Sequence, residues 1–439
     1  MAKVTVENLS AKRIIVKNTL WLLSEKAVLI GGGLLLSIFI ARFLGPESFG
    51  RYSYLLSFVS LLTPLFALGM SNVLMREFAK TPNKIANIIT SCLTSRLLAG
   101  LVFTLLTSIA FYFFDDADWR IQPLIILLVA NISNAFEVYG LWFQYKSDNR
   151  TLVLWRISCF ILFTLLKGVV IWHYQAVLPL IWVIAIELVV KNFGYKCLYH
   201  KTFQSKGKFE AVIFYDIFSQ TKFLIVSSLA SIIYLKIDII MLESMRSAQE
   251  VGVYAVAAKL SEVWYVLPQV VITAFFPKLL EIAQSNKQRY YKILQRGFDL
   301  LFIAALTISV LIYAVAPWII ELFYGESYRD AIPILRVHIF ASLFIYMRVL
   351  LSQWLISERF AEFSLVSQVS GAVVNVLLNL FLIPQYGAMG AAVASLVAYA
   401  VTSYFCLFFY SRTRVIARMM SKSIFFAFRL RQVVSKQKL

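Results

Sequence analysis

Of the charged side chains that stand inside, or at the ends of, long apolar stretches of this 439-residue chain, eight have types and positions that could do chemistry. The bases are Lys26, Arg42, Lys236, Lys259 and Arg348, and the acids are Glu25, Asp238 and Glu262. Lys and Arg in such surroundings are strong donors to phosphate oxygens, so the five bases are candidates for holding an anionic headgroup. The three carboxylates are candidates for binding H⁺ or Na⁺ and so for coupling ion flow to movement. A base that met lipid at the bilayer centre would cost about 2.5–3.5 kcal/mol, so each should face a polar cavity or a partner. Lys259 and Glu262 are three apart and share a helical face, which allows them to pair. Glu25 and Lys26 are adjacent, hence about 100° apart on a helix, and need other partners. Gly31-Gly32-Gly33 follows and permits a bend or a close helix approach. Arg96 and Arg156 lie near the ends of their stretches, where they can snorkel to the interface. Lys167, Arg336, Glu137, Glu187 and Asp299 complete the embedded set, and the lone His338 reads as structural.

The elements that must position these groups are set by composition. The chain is 60% hydrophobic and only 15% charged, far below the charged share of a soluble domain. Apolar stretches recur almost end to end, each long enough to cross roughly 30 Å of hydrocarbon as a helix. About twelve spans are expected, from 18–41 to 387–411. The fold class is therefore all-α and polytopic, in two bundles of six helices. Lys and Arg fall in alternate loops by about six to one, which places both termini in the cytoplasm. The same asymmetry accounts for the formal charge of +19 and excludes a nucleic-acid-binding domain. The polar, basic first 17 residues argue against a cleavable signal. Cys92, Cys159, Cys197 and Cys406 all sit in apolar runs, so no disulfide framework is expected.

An internal repeat organises the spans. Phe49-Gly50-Arg51-Tyr52 opens the second span, and Val251-Gly252-Val253-Tyr254 opens the eighth at a constant offset that also carries Arg76 onto Lys278. Each of these spans holds an internal proline, Pro64 and Pro268, and ends in a basic cluster. Six spans plus six, an even number per half, gives two halves running the same way, with a path expected between them. The expected organisation is a lobe over 1–210, a second over 211–411, and a basic amphipathic tail over 412–439 lying on the cytoplasmic leaflet.

The stretch "ARFLGPESFGRYSY" resembles the signature of the Wzx-type O-antigen and polysaccharide flippases, and "LGMSNVLMREFA", "LWFQ", "IDIIML", "VGVYAVAAKLSE" and "YGAMGAAVAS" extend the resemblance over nearly the whole chain. Tyr145 and Glu243 stand where glycine is common in that family. The resemblance implies a MATE-like or MurJ-like bundle in the bacterial inner membrane. It also implies movement of an undecaprenyl-diphosphate-linked oligosaccharide from the cytoplasmic to the periplasmic leaflet by alternating access, with H⁺ or Na⁺ coupling. The partners implied are that lipid-linked substrate, membrane lipids, and a polymerase or chain-length regulator of polysaccharide assembly.

Two other readings compete. A multidrug or organic-cation antiporter of the same superfamily would share the fold. A membrane-bound polysaccharide polymerase or ligase would need catalytic groups in the outer loops, which are about ten residues or shorter and hold no H-E-x-x-H or G-x-S-x-G pattern. No enzyme activity and no cofactor is expected, and the absence of G-x-x-x-x-G-K-[ST] argues against ATP hydrolysis by a P-loop.

Overall fold

The structure is a computed structural model that describes residues 2–114, 118–146, 149–203, 207–358 and 360–425. All regular elements among them are helices: α1 (Ala2–Ala67), α2 (Ser71–Lys80), α3 (Ile85–Phe114), α4 (Asp118–Ile132), α5 (Glu137–Tyr145), α6 (Asn149–Tyr174), α7 (Val177–Thr202) and α8 (Ala211–Met245). They continue with α9 (Ala248–Glu262), α10 (Val266–Ser285), α11 (Lys287–Ile319), α12 (Ala331–His338), α13 (Ala341–Ser357), α14 (Ala361–Ser403) and α15 (Arg414–Ile424), joined by short 3₁₀ or π turns. Helices dominate because hydrocarbon offers no partner for backbone N–H and C=O groups, which must be satisfied within each segment.

Ten helices among the described residues are long and apolar enough to cross a membrane. Two of them, Ser24–Ala67 and Glu362–Phe408, are 44 and 47 residues long, about twice what one crossing needs. Each is broken by a glycine in a conformation that L side chains avoid: Gly45 at φ 73° and Gly387 at φ 55°. Pro46 follows the first break and adds its own restriction to the residue before it.

The chain forms two compact units. One comprises 1–44 and 55–229, and the other comprises 45–54 and 230–439. The first is built around Met70, Leu74, Phe78, Ile88, Trp142, Phe143 and Tyr199 from α2, α3, α5 and α7. The second is built around Phe276, Leu294, Phe298, Met347, Leu351 and Trp354 from α10, α11 and α13. The outward faces are apolar: Phe114, Leu165, Trp172 and Phe381 are each more than 60% exposed. In water such faces would drive association, whereas lipid solvates them.

Residues 45–54 belong to the second unit because they pack against the start of α9. A Cβ added to Gly50 would overlap the Ala248 carbonyl oxygen, and one added to Gly252 would overlap that of Pro46. These positions are equivalent in the repeat, so the two copies of the motif touch reciprocally, as a local two-fold contact requires. Small residues four apart on both strands of the crossing let the backbones meet. Phe49, 2% exposed, anchors the stretch edge-on to Tyr328 at a ring separation of 6.4 Å. The stretch is therefore a helix-crossing element.

In the glycine run of α1, a Cβ on Gly32 would approach Phe160 of α6 to 2.7 Å, whereas Gly31 and Gly33 face open space among the described residues. Gly50→Leu and Gly252→Leu should each abolish recovery of monodisperse protein after detergent extraction. Gly31→Ala should be neutral or stabilising by up to about 1 kcal/mol, as read from thermal unfolding.

Candidate functional site

The second unit holds a buried polar cluster around Asp238, which is 2% exposed. α8 supplies Asp238, α9 supplies Tyr254, and α14 supplies Asn375, Asn379 and Ser395. The Tyr254 hydroxyl donates to Asp238 Oδ2 at 2.8 Å, Asn379 Nδ2 donates to Oδ1 at 2.6 Å, and the Ser395 hydroxyl donates to Oδ2. Asn379 Nδ2 also donates to Asn375 Oδ1 at 3.0 Å. The break at Gly387 lets the two limbs of α14 present Asn379 and Ser395 to one carboxylate.

All three donors to Asp238 are neutral, and no Lys, Arg or His pairs with it among the described residues. A bare carboxylate in an apolar bundle is costly even when hydrogen-bonded. It therefore favours either a proton or a small cation. Asn379 Oδ1 has no partner among the described residues, and carboxylate and hydroxyl oxygens such as those of Asp238, Tyr254 and Ser395 are the donor type that hard cations prefer. No group of three or more His, Cys, Asp or Glu that could hold a metal ion occurs among the described residues.

The other sequence candidates differ in burial and in the partners they meet. Lys236, two residues from Asp238 and so on the opposite side of α8, donates to Glu262 Oε2 at 2.9 Å. Arg348 is 8% exposed and donates from Nη1 to Ser367 Oγ at 2.9 Å and to the Thr402 carbonyl at 2.8 Å. Its Nη2 has no partner among the described residues. In the first unit Glu25 accepts from Arg156 Nη1 at 3.2 Å, while Arg156 Nε donates to the Tyr195 hydroxyl at 2.9 Å. Lys26, Arg42 and Lys259 are exposed.

Arg96 and Arg156 do not sit as their positions near the ends of the apolar stretches suggested. Arg96 does not snorkel: it is 1% exposed and bonds Ser71 Oγ at 3.3 Å, with Nε and Nη1 unpartnered among the described residues. Arg156 is held inward by Glu25 and Tyr195 instead of reaching an interface. Lys167 pairs with Glu187 on α7. His338, 1% exposed, lies edge-on to the Tyr254 ring at 5.9 Å, beside the Asp238 cluster.

Asn375, Asn379, Tyr254 and Ser395 were not picked out from the sequence. The available signal was Asn375 and Asn379 four apart in an apolar run, which puts two amides on one helical face. The buried amides of the first unit are similar: Asn192 donates to Asn134 Oδ1 at 2.7 Å and to Ser133 Oγ at 3.1 Å.

Residues 15–283 match the model of the polysaccharide biosynthesis protein family, and the chain belongs to that family. Residues 224–381 also match the MatE family. "Probable flippase AglR" of Haloferax volcanii is 25% identical over 63% of this chain and 58% of its own length. "Probable low-salt glycan biosynthesis flippase Agl15" of the same organism is 21% identical over 43% of this chain and 40% of its own. The chain thus spans about half the length of these curated relatives. Among solved structures, the lipid II flippase MurJ in an inward closed conformation superposes with a TM-score of 0.73 at 14% identity, covering 95% of this chain and 93% of that one. An inward-facing multidrug resistance MATE family transporter of the MOP superfamily gives a TM-score of 0.69 at 17% identity, covering 91% of this chain and 98% of that one. The fold is therefore that of the MATE and MurJ transporters, and the protein is a multi-pass membrane protein.

Removing one member of a buried ion pair strands the other charge. Glu25→Ala or Arg156→Ala should each cost about 3 kcal/mol, and the double substitution should cost less than the sum. Thermal unfolding of the four proteins in one detergent measures that coupling.

Proposed function

We propose that this protein is a flippase that moves an undecaprenyl-diphosphate-linked oligosaccharide, an O-antigen or similar repeat unit, from the cytoplasmic to the periplasmic leaflet of a bacterial inner membrane. The observation that carries the reading is membership of the polysaccharide biosynthesis family across residues 15–283. The reading takes the two helices that break at Gly45 and Gly387 as two crossings each, giving twelve spans with both termini cytoplasmic. It also takes 1–210 and 211–411 as halves produced by duplication.

Within that reading, Asp238 is the ion-coupling group. Glu25 and Glu262 are already answered by Arg156 and Lys236, whereas Asp238 has only neutral donors among the described residues. Binding of H⁺ or Na⁺ would neutralise the buried carboxylate, and its release would restore the charge. Such a difference between states can bias a conformational equilibrium. Lys26, Arg42 and Lys259 are exposed, and each is proposed separately as a contact for the diphosphate during transfer.

The MatE match over residues 224–381 supports a second reading, export of an organic cation. The two readings differ in cargo charge, since an exposed base suits a phosphate and opposes a cation.

In proteoliposomes holding the purified chain and a lipid-linked oligosaccharide, an imposed H⁺ or Na⁺ gradient should speed leaflet transfer by about tenfold, equivalent to about 1.4 kcal/mol. Asp238→Asn should transfer at one rate with or without the gradient. Equal acceleration in both proteins would remove Asp238 from coupling, and transport of an organic cation with no lipid transfer would favour the exporter.

A further inference from the structure

α11 opens with a polar stretch and becomes apolar beyond Asp299, so its first three turns stand at headgroup level. There α15 packs on it, with Ile416, Ala417 and Met420 buried in the second unit's core. A polar lock holds the two helices together. Gln295 Nε2 donates to Asp299 Oδ1 at 2.9 Å and to the Met419 carbonyl at 3.0 Å, and the Ser423 hydroxyl donates to Asp299 Oδ1 at 2.6 Å. Arg429 and the rest of the expected tail after 425 lie outside the described residues.

Beside this lock is an open cavity of about 450 Å³, lined by Tyr291, Lys292, Gln295, Arg296, Asp299 and Lys422 among others. Lys292, Arg296 and Lys422 are exposed and make no hydrogen bond or ion pair among the described residues. Lys292 and Arg296 are four apart on one helical face, an arrangement that is unfavourable for like charges, and α15 adds a third cation to it. The single carboxylate, Asp299, already accepts from Gln295 and Ser423. Below the cavity α11 presents Leu300, Val310 and Leu311 outward, each more than half exposed. A cationic recess fixed at the end of an outward apolar track matches the two parts of an acidic lipid.

We propose that this recess is a binding site for the headgroup of an anionic glycerophospholipid of the surrounding leaflet, with its acyl chains along the outer face of α11. The lipid would bridge α11 to α15 and hold the short terminal helix in place. The site is separate from the Asp238 cluster, and it does not rest on the proposed transport activity.

The test uses the full purified chain in a neutral detergent, titrated with phosphatidylglycerol or phosphatidylcholine and followed by native mass spectrometry. Wild type should retain phosphatidylglycerol in preference to phosphatidylcholine, and retention should weaken as salt is raised. Lys292→Gln/Arg296→Gln/Lys422→Gln should bind phosphatidylglycerol at least about tenfold more weakly, given the attraction each base contributes. Lys84→Gln/Lys201→Gln/Lys208→Gln, which removes equal charge from exposed positions of the first unit, should bind like wild type. All variants are first checked for a monodisperse elution profile. If the triple variant does not elute so, the single Lys292→Gln and Lys422→Gln proteins should each show part of the loss. Equal retention by the triple variant and wild type, or equal loss in the control triple, would overturn the site. So would an isoprenyl diphosphate that displaces phosphatidylglycerol at stoichiometric amounts and is itself lost in the triple variant, since the recess would then belong to a different lipid.

Discussion

Hydrocarbon cannot solvate charge, and that single constraint sorts the ionisable groups of this protein. Glu25 is answered by Arg156, Glu187 by Lys167 and Glu262 by Lys236. These pairs tie α1 to α6, α6 to α7 and α8 to α9. A buried pair gains little over an apolar contact of the same size, but losing one partner is expensive. The pairs therefore act as registration marks between helices that would otherwise slide on apolar faces. Against that background Asp238 stands out chemically: a buried carboxylate with neutral donors and no cation partner among the described residues.

The second organising feature is steric. Membrane helices gain no hydrophobic energy from one another and rely on close packing. Gly50 and Gly252 allow residues 45–54 and the start of α9 to meet backbone to backbone, each overlying the small residue that begins the other copy of the motif. A duplicated sequence thereby yields a reciprocal contact from one local rule. The same economy operates at Gly387, where a positive φ folds α14 so that residues sixteen apart, Asn379 and Ser395, reach one carboxylate.

Much of this was legible in the residues. Length and apolarity of the stretches announced a helical membrane bundle, and the repeat located the two motifs that touch. Asp238 could be named because a carboxylate in an apolar run is conspicuous. Its partners were not legible, since periodicity relates residues on one helix, and Tyr254 and Ser395 come from two others. The same limit hid the Lys236–Glu262 and Glu25–Arg156 pairs, whose members are distant in sequence. Arg96 misled for a different reason: closeness to a span end permits snorkelling, but the packing of α2 and α3 encloses the guanidinium. The tail pattern over 412–439 was readable as amphipathic, yet only the packing of α15 shows that the apolar face of this helix is spent on α11, which leaves its bases and not its apolar side chains to meet the lipid.

The central claim is that the Asp238 carboxylate exists to take up a cation while the paired glutamates serve structure. It is tested most directly by the cation dependence of unfolding. Thermal midpoints of wild type, Asp238→Asn, Glu25→Gln, Glu187→Gln and Glu262→Gln would be followed against Na⁺ at constant ionic strength and against pH. The account predicts that either Na⁺ or protons raise the wild-type midpoint. It further predicts that the rise vanishes in Asp238→Asn and persists in the three glutamate variants, whose midpoints start lower. A cation-dependent rise that survives Asp238→Asn would contradict it.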